Sequence, residues 1–303
     1  MQDLLNLVTE QQNLKSRDID EKTTVDILTV INEEDQSVPL MIQKSLPDIA
    51  LVVDEVVKTF QKGGRLIYVG AGTSGRIGIL DAAECPPTFG TDPEMVKAVI
   101  AGGSEAIFSA IEGAEDNESL GKYEMEQQQI TSSDIVIGIT ASGRAPFVIG
   151  ALKEAKNRHA ATVSLTCTKN AELNQYGDYH INIEVGPEVI TGSTRMKAGT
   201  SQKLVLNMIT TTSMIKIGKT FGNLMVDVKP LNKKLVERAK WIIQSASHCT
   251  KDEAGMLFEQ ANGNPKIAIV MHTCKVDAEE AKKMLSQENG VINQVIKKYN
   301  LER

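Results

Sequence analysis

Short apolar runs alternate with amphipathic stretches through the middle of the chain. The first apolar run ends at Gly70, and four others cover 96–100, 135–140, 162–166 and 179–185. Each is separated from the next by a segment with helical periodicity, which indicates alternating strands and helices. Continuous apolar strands are typical of a parallel sheet covered on both faces. The pattern therefore predicts an α/β fold with a doubly wound parallel sheet in a three-layer αβα sandwich.

The two ends of the chain carry helical patterns instead. Apolar residues recur at helical spacing in two segments between 23 and 61, and the pattern after Pro230 is wholly helical. We therefore predict an N-terminal helical segment at 1–55, an α/β domain at 56–228 and a small C-terminal helical domain at 229–303.

Charge and composition limit the classes of molecule that the protein is expected to bind. A formal net charge of -6 and a pI near 5.4 argue against nucleic acid or an anionic membrane as a partner. No apolar run has the length of a membrane span and no signal core follows the start, so we expect a cytoplasmic protein. The four cysteines and four histidines lack metal-ligand spacing, so we expect free thiols and no metal.

A turn rich in glycine and hydroxyl groups, Gly70-Ala-Gly-Thr-Ser-Gly-Arg76, follows the first strand and begins a helix. Free backbone N–H groups and the positive end of the helix dipole favour an anion at this position. The spacing also fits a dinucleotide fingerprint, but the second strand runs into Ala101-Gly-Gly103 without a carboxylate for a ribose. The turn therefore favours a phosphate monoester over a dinucleotide.

Two further loops combine hydroxyl groups, glycine and arginine. Any one of them is as well explained by helix capping, but their recurrence at strand ends favours a shared site. The predicted binding residues are Gly72, Thr73, Ser74, Gly75, Arg76, Ser142, Gly143, Arg144, Ser193, Thr194 and Arg195.

Acidic residues form the second candidate constellation. Glu84 precedes Pro86 and Pro87, which we expect to stop the helix and to hold Glu84 rigidly near its C-terminus. By themselves, Glu112, Glu115 and Asp116 are more typical of a solvated acidic turn than of a catalytic site, whereas Glu84 is as readily structural as catalytic. A pair of carboxylates with separated pKa values can divide proton removal and proton donation, an arrangement that glycoside hydrolysis also uses.

With these motifs, the sequence resembles those of the N-acetylmuramic acid 6-phosphate etherases of the sugar isomerase (SIS) domain superfamily. The resemblance covers nearly the whole chain, with Asn117 and Ser201 as minor departures. The matching blocks are Thr9–Gln11, Ser16–Asp20, Ile31–Asp35, Gly63–Tyr68, Gly70–Gly90, Glu112–Asp116, Ser142–Arg144 and Gly192–Thr200.

The resemblance implies cleavage of the C3 D-lactyl ether of N-acetylmuramic acid 6-phosphate, giving N-acetylglucosamine 6-phosphate and D-lactate. It implies no metal or organic cofactor and a homodimer. Glu84 would be the general acid that protonates the leaving lactate, in a poorly solvated pocket that raises its pKa. Glu115 would be the second catalytic carboxylate, the base that removes the C2 proton.

Two alternatives share the scaffold. A phosphosugar-binding regulator similar to the glucokinase regulatory protein would bind without catalysis and would not need both Glu84 and Glu115. An aldose–ketose isomerase would abstract the C2 proton but would not need an acid at a C3 ether.

Overall fold

The computed structural model describes residues 8–228, 230 and 232–301. Its contacts divide the chain into two compact units. The first unit comprises Met1–Ala83 and Glu94–Thr210, and the second comprises Glu84–Pro93 and Thr211–Arg303. The predicted domain boundaries at 55/56 and 228/229 remain predictions.

A parallel five-stranded sheet forms the centre of the first unit, in the order β2-β1-β3-β4-β5. Strands β1 and β3 are buried along their whole length, as their continuous apolar sequences predict. Leu66 pairs with Ile135 and Gly70 with Ile139, so the two strands end at the same edge. The strands are β1 (Leu66–Gly70), β2 (Val96–Ile100), β3 (Ile135–Thr140), β4 (Ala161–Thr166) and β5 (Tyr179–Asn182).

Helices flank this sheet, which confirms the predicted α/β fold class. Part of the core is formed by Met125, Phe147 and Leu152, all fully buried. The helices that begin in this unit are α1 (Thr24–Gln43), α2 (Leu46–Gln61), α3 (Gly72–Phe89), α4 (Glu118–Gln127), α5 (Pro146–Asn157) and α6 (Lys197–Lys216). Among the described residues before α1 there are three short 3-10 helices, at Val8–Glu10, Leu14–Ser16 and Ile19–Glu21.

The fifth strand is shorter than its apolar sequence predicts. Pairing ends at Asn182 rather than at 185, although the Ile183 N–H still donates to the Thr166 carbonyl at 2.8 Å. The partner strand β4 ends at Thr166, which pairs with Asn182 at the end of the ladder.

The prediction that Pro86 and Pro87 stop the third helix is wrong. Helix α3 continues through both prolines to Phe89, and the Gly90 N–H donates to the Pro86 carbonyl at 2.9 Å. Each proline removes one helical donor, at a typical cost of about 3 kcal/mol. Cys85 and Phe89, one turn apart, are both buried, and this packing helps to keep the helix intact.

The second unit is mainly helical, as predicted. A short hairpin, β6 (Thr220–Phe221) with β7 (Leu224–Met225), precedes five helices around a common apolar core. The helices are α7 (Lys233–Ser247), α8 (Lys251–Gln260), α9 (Pro265–Cys274), α10 (Ala278–Gln287) and α11 (Ile292–Leu301). The four cysteines carry free thiols. In the part of the chain that the structure describes, no helix is long and apolar enough to cross a membrane.

Candidate active site

A cavity of about 300 Å³ opens at the carboxyl edge of the sheet, beside the ends of β1 and β3. The chain leaves β1 towards β2 on one side, whereas β3 lies on the other side, so the connections diverge between β1 and β3. Such a crevice is the usual ligand site of an open parallel sheet. The cavity lies wholly within the first unit. Its lining residues are Thr9, Glu10, Ala71, Gly72, Thr73, Ser74, Glu115, Ile139, Thr140, Ala141, Ser142, Ala145, Gly192 and Thr194.

The turn after β1 supplies the first wall. Gly72 has a φ of +52°, which favours glycine, and helix α3 starts there. The other two glycines permit close packing, because a Cβ on Gly75 would lie 2.9 Å from the Gly70 carbonyl oxygen. Thr73 and Ser74 therefore stand in the first helical turn, where backbone N–H groups lack helical acceptors and favour an anion.

The turn after β3 supplies the second wall. The Ser142 hydroxyl lies 3.4 Å from the Thr140 hydroxyl and accepts a hydrogen bond from the Arg144 N–H at 3.3 Å. Gly143 has a φ of +73°, and its carbonyl accepts from the Leu173 N–H at 2.9 Å. The turn is therefore held by a side-chain hydrogen bond within it and by a backbone hydrogen bond from Leu173, and Ser142 lines the cavity.

The third loop does not follow a strand directly, contrary to the sequence expectation. It lies beyond the irregular segment 183–190 and ends where α6 begins. The Glu188 carboxylate accepts the N–H groups of Lys197 and Ala198, both at 2.9 Å, and so caps this helix. Gly192 and Thr194 reach the cavity from this loop.

Glu115 is the acidic residue of the 112–116 segment that lines this cavity. Its carbonyl accepts the Phe147 N–H at 2.9 Å, which fixes the backbone against the start of α5. Although the residue as a whole is exposed, burial around the carboxyl group raises its pKa, and the negative charge of Asp116 raises it further. The predicted departure at Asn117 has a local reason, because its side chain caps α4 through the Leu120 N–H at 2.9 Å.

A second cavity, of about 260 Å³, adjoins the first through shared wall residues that include Gly72 and Glu115. Arg76 lines this second cavity. Its guanidinium donates to the carbonyls of Ile107 at 2.9 Å and Ser109 at 3.0 Å. The arginine side chain therefore holds the loop that leads to Glu115.

The remaining predicted residues do not line the first cavity. Arg144 and Arg195 are exposed, and Ser193 is half-buried. Glu84 belongs to the second unit, and its side chain is exposed rather than in the poorly solvated pocket expected for it.

Among the lining residues that were not predicted, Thr9 and Glu10 lie far in sequence from every predicted loop. Both lie in the first 3-10 helix, far along the chain from the other lining residues. They fall in one of the blocks shared with the etherases, which was the available signal. Among the described lining residues, Glu10 and Glu115 are the charged side chains, and none is Lys, Arg or His.

A buried ion pair was also missed. The Lys197 ammonium lies 2.6 Å from a carboxylate oxygen of Glu34, and both side chains are under a tenth exposed. Lys15 and Asn13 donate to the same carboxylate, each at 2.8 Å. Burial raises the pKa of Glu34, but these donors outweigh it and lower the pKa to about 2. The sequence signal that could have revealed this pair is the position of Glu34, one helical turn before the buried Val38 on the same face of α1.

Two protein-family models match parts of this chain. The SIS domain model matches residues 118–212, and the model of the glucokinase regulatory protein N-terminal SIS domain matches residues 48–156. A protein of Photobacterium profundum, called N-acetylmuramic acid 6-phosphate etherase, is 51% identical over 294 residues. The match covers 97% of this chain and 98% of that protein. The chain belongs to the N-acetylmuramic acid 6-phosphate etherase family.

Other relatives agree with this assignment. An etherase of a Geobacillus species is 52% identical over 97% of this chain and 99% of that protein. The etherase relatives therefore match nearly the whole chain, which favours an enzyme over the regulator alternative. Among solved structures, a phosphoheptose isomerase of Neisseria gonorrhoeae matches with a TM-score of 0.50 and 16% identity, over 63% of this chain and 99% of that one. That likeness shows the SIS fold alone.

Proposed function

We propose that the protein cleaves the C3 D-lactyl ether of N-acetylmuramic acid 6-phosphate as a carbon–oxygen lyase. The products are N-acetylglucosamine 6-phosphate and D-lactate. The observation that carries the proposal is the shared cavity, in which the phosphate-type turn at 72–74 and the Glu115 carboxylate face the same space. The etherase relatives support the choice of substrate.

The phosphate end of the substrate would rest on the first turn of α3. Backbone N–H groups and the hydroxyls of Thr73 and Ser74 can donate to phosphate oxygens, and the helix dipole favours negative charge there. Ser142 and Thr194 add hydroxyl donors from the opposite walls. All of the predicted binding residues remain predictions, including those outside the cavity lining, which are Gly75, Arg76, Gly143, Arg144, Ser193 and Arg195.

Glu115 has the properties that a base for the C2 proton requires. In the ring-opened sugar, the C2 proton is acidic because it lies next to the C1 aldehyde. A carboxylate whose pKa is raised towards neutral pH accepts a proton more readily than an ordinary glutamate, provided that it is ionised. In this proposal, Glu115 takes the C2 proton while the C3–oxygen bond to lactate breaks.

The remaining steps need one acid, which protonates the leaving lactate, and one water molecule, which adds to the sugar. The lactate oxygen leaves with the electron pair of the C3–oxygen bond and receives a proton from Glu84, a role that rests on the family resemblance alone. The sugar is left as an α,β-unsaturated aldehyde. Water then adds its oxygen to C3, and C2 regains a proton, which gives N-acetylglucosamine 6-phosphate.

Release of D-lactate from purified N-acetylmuramic acid 6-phosphate tests this proposal. We expect release by the wild type, and a loss of at least a hundredfold in kcat for Glu115→Gln and Glu84→Gln, as for removal of a general acid or base. The matched controls are Glu112→Gln, an exposed neighbour of Glu115, and Glu259→Gln in the second unit. A folded wild type that binds the sugar phosphate without releasing lactate would mean a regulator.

Isotope labelling tests the lyase class separately. If elimination precedes water addition, reaction in deuterated, heavy-oxygen water places deuterium at C2 and heavy oxygen at C3 of the product. Direct hydrolysis at the lactyl carbon would leave C2 unlabelled and put the heavy oxygen in lactate instead. The two outcomes are distinguished by mass spectrometry of the two products.

The homodimer and the cytoplasmic location belong to the same proposal. Exposed apolar side chains on α1 and α2, among them Leu28, Leu40 and Leu51, support a partner surface, because each is more than half exposed. Sedimentation equilibrium measures the association, and cell fractionation measures the location.

A further inference from the structure

Glu10 presents a carboxylate to the cavity that the proposed reaction does not use. The residue is half-buried in the cavity wall, and its one hydrogen bond among the described residues comes from the Thr9 hydroxyl at 3.4 Å. A Cβ built on Gly192 would lie 3.2 Å from the Glu10 Oε2 atom. The carboxylate therefore lies against the 192–194 loop, without a salt-bridge partner in the described part of the chain.

The backbone around Glu10 is fixed by buried contacts. The Asn13 amide donates to Glu34 at 2.8 Å and to the Pro187 carbonyl at 3.3 Å. The Ser16 hydroxyl donates to the Val189 carbonyl at 2.7 Å. These contacts join the N-terminal turns to the segment that leads into the third loop, so that Glu10 is held at the cavity rather than on a free end.

Charge decides which part of a ligand Glu10 can contact. The phosphate and the lactyl carboxylate of the proposed substrate are anions, which a carboxylate repels. The sugar between them carries hydroxyl groups and an amide N–H, which are neutral donors. Because a carboxylate only accepts hydrogen bonds, those donors are its complementary partners.

We propose that Glu10 binds the substrate, accepting a hydrogen bond from a neutral O–H or N–H donor of the sugar. With the phosphate on the first turn of α3, this contact fixes which face of the sugar meets Glu115. Glu10 thereby determines specificity for a sugar phosphate over phosphate alone. The inference rests on the proposed function for the identity of the sugar phosphate.

Binding measurements test this role without relying on turnover. Titration calorimetry with N-acetylglucosamine 6-phosphate and with inorganic phosphate compares wild type, Glu10→Ala, Glu10→Gln and the control Glu21→Gln, an exposed residue of the third 3-10 helix. We expect Glu10→Ala to weaken the sugar phosphate about ten- to a hundredfold, the range for a hydrogen bond to a charged group. The affinity for inorganic phosphate should not fall in either Glu10 variant, because each removes a negative charge that repels the anion. Glu10→Gln should lose less affinity for the sugar phosphate, because the amide oxygen can still accept a hydrogen bond.

Three results would overturn the inference. The first is binding of the sugar phosphate by Glu10→Ala within twofold of wild type, the second is an equal loss of affinity for inorganic phosphate, and the third is a wild type that does not bind the sugar phosphate. The second result would assign Glu10 to the cavity's structure rather than to sugar recognition. If the expected pattern appears in a protein that releases no lactate, the sugar contact stands and the etherase proposal fails.

A third ligand identifies the donor. Glucose 6-phosphate carries a hydroxyl in place of the amide at C2. An effect of Glu10→Ala confined to N-acetylglucosamine 6-phosphate assigns the amide N–H, whereas an equal effect on both ligands assigns a hydroxyl that they share.

Discussion

Replacing Glu34 with glutamine should destabilise the first unit by about 3 kcal/mol at pH 7. Glutamine keeps an acceptor for Asn13 but leaves the Lys197 ammonium, whose side chain is 4% exposed, without its countercharge. Breaking a buried ion pair by removing one partner typically costs about 3–5 kcal/mol.

The pKa of Glu34 gives an independent magnitude. Its value of about 2, against an ordinary value of 4.5, corresponds to about 3 kcal/mol at about 1.36 kcal/mol per pH unit. Because the pKa is lower in the folded protein, this stabilisation is present above the unfolded pKa and is lost as the pH falls towards 2. By the same relation, about 2 kcal/mol of it should remain at pH 3.5.

Urea unfolding of the wild type and Glu34→Gln at several pH values measures both quantities. Far-ultraviolet circular dichroism follows both units, whereas the single tryptophan, Trp241, lies in the second unit and reports on that one. The exposed Glu33→Gln is the matched control. The double variant Glu34→Gln/Lys197→Met should recover part of the lost stability, because it leaves no unpaired buried charge.

The reasoning would be refuted if Glu34→Gln lost less than about 1 kcal/mol at pH 7, well below the range for a broken buried pair. It would also fail if the difference from wild type stayed constant as the pH fell. A double variant as unstable as Glu34→Gln alone would show that packing, not charge, sets the cost.

Two further predictions concern the cavity walls. Asp116→Asn removes a negative charge that raises the pKa of Glu115, so the acidic limb of the pH profile of kcat/KM should move to lower pH. The control Glu112→Gln should leave this limb in place, and an unmoved limb in Asp116→Asn would contradict the assignment of Glu115 as the base. Arg76→Lys keeps the positive charge but loses the two hydrogen bonds to the 107–109 loop, so kcat should fall several-fold while the affinity for phosphate stays unchanged. Weakened phosphate binding would instead mean that the guanidinium contacts the ligand.

Local sequence patterns were enough to predict most of the sheet and the glycine-rich turn at which α3 begins. The runs at 96–100 and 135–140 coincide with β2 and β3. Strand β3 is buried along its whole length and therefore needs no polar alternation. Gly72 was predictable because a left-handed residue at the start of a helix favours glycine. The proposed catalytic pairing of Glu84 with Glu115 rests on the family resemblance, since no spacing rule connects the two residues.

Long-range packing determined the rest. Glu10 and Glu115 share one cavity although more than a hundred positions separate them, and Glu34 pairs with Lys197 across the unit. The prolines of α3 show the same limit, because a local rule that ends helices gave way to burial of the neighbouring side chains. Propensities act within a few residues, whereas burial and charge pairing depend on which distant segments meet, and those meetings exist only in the folded chain.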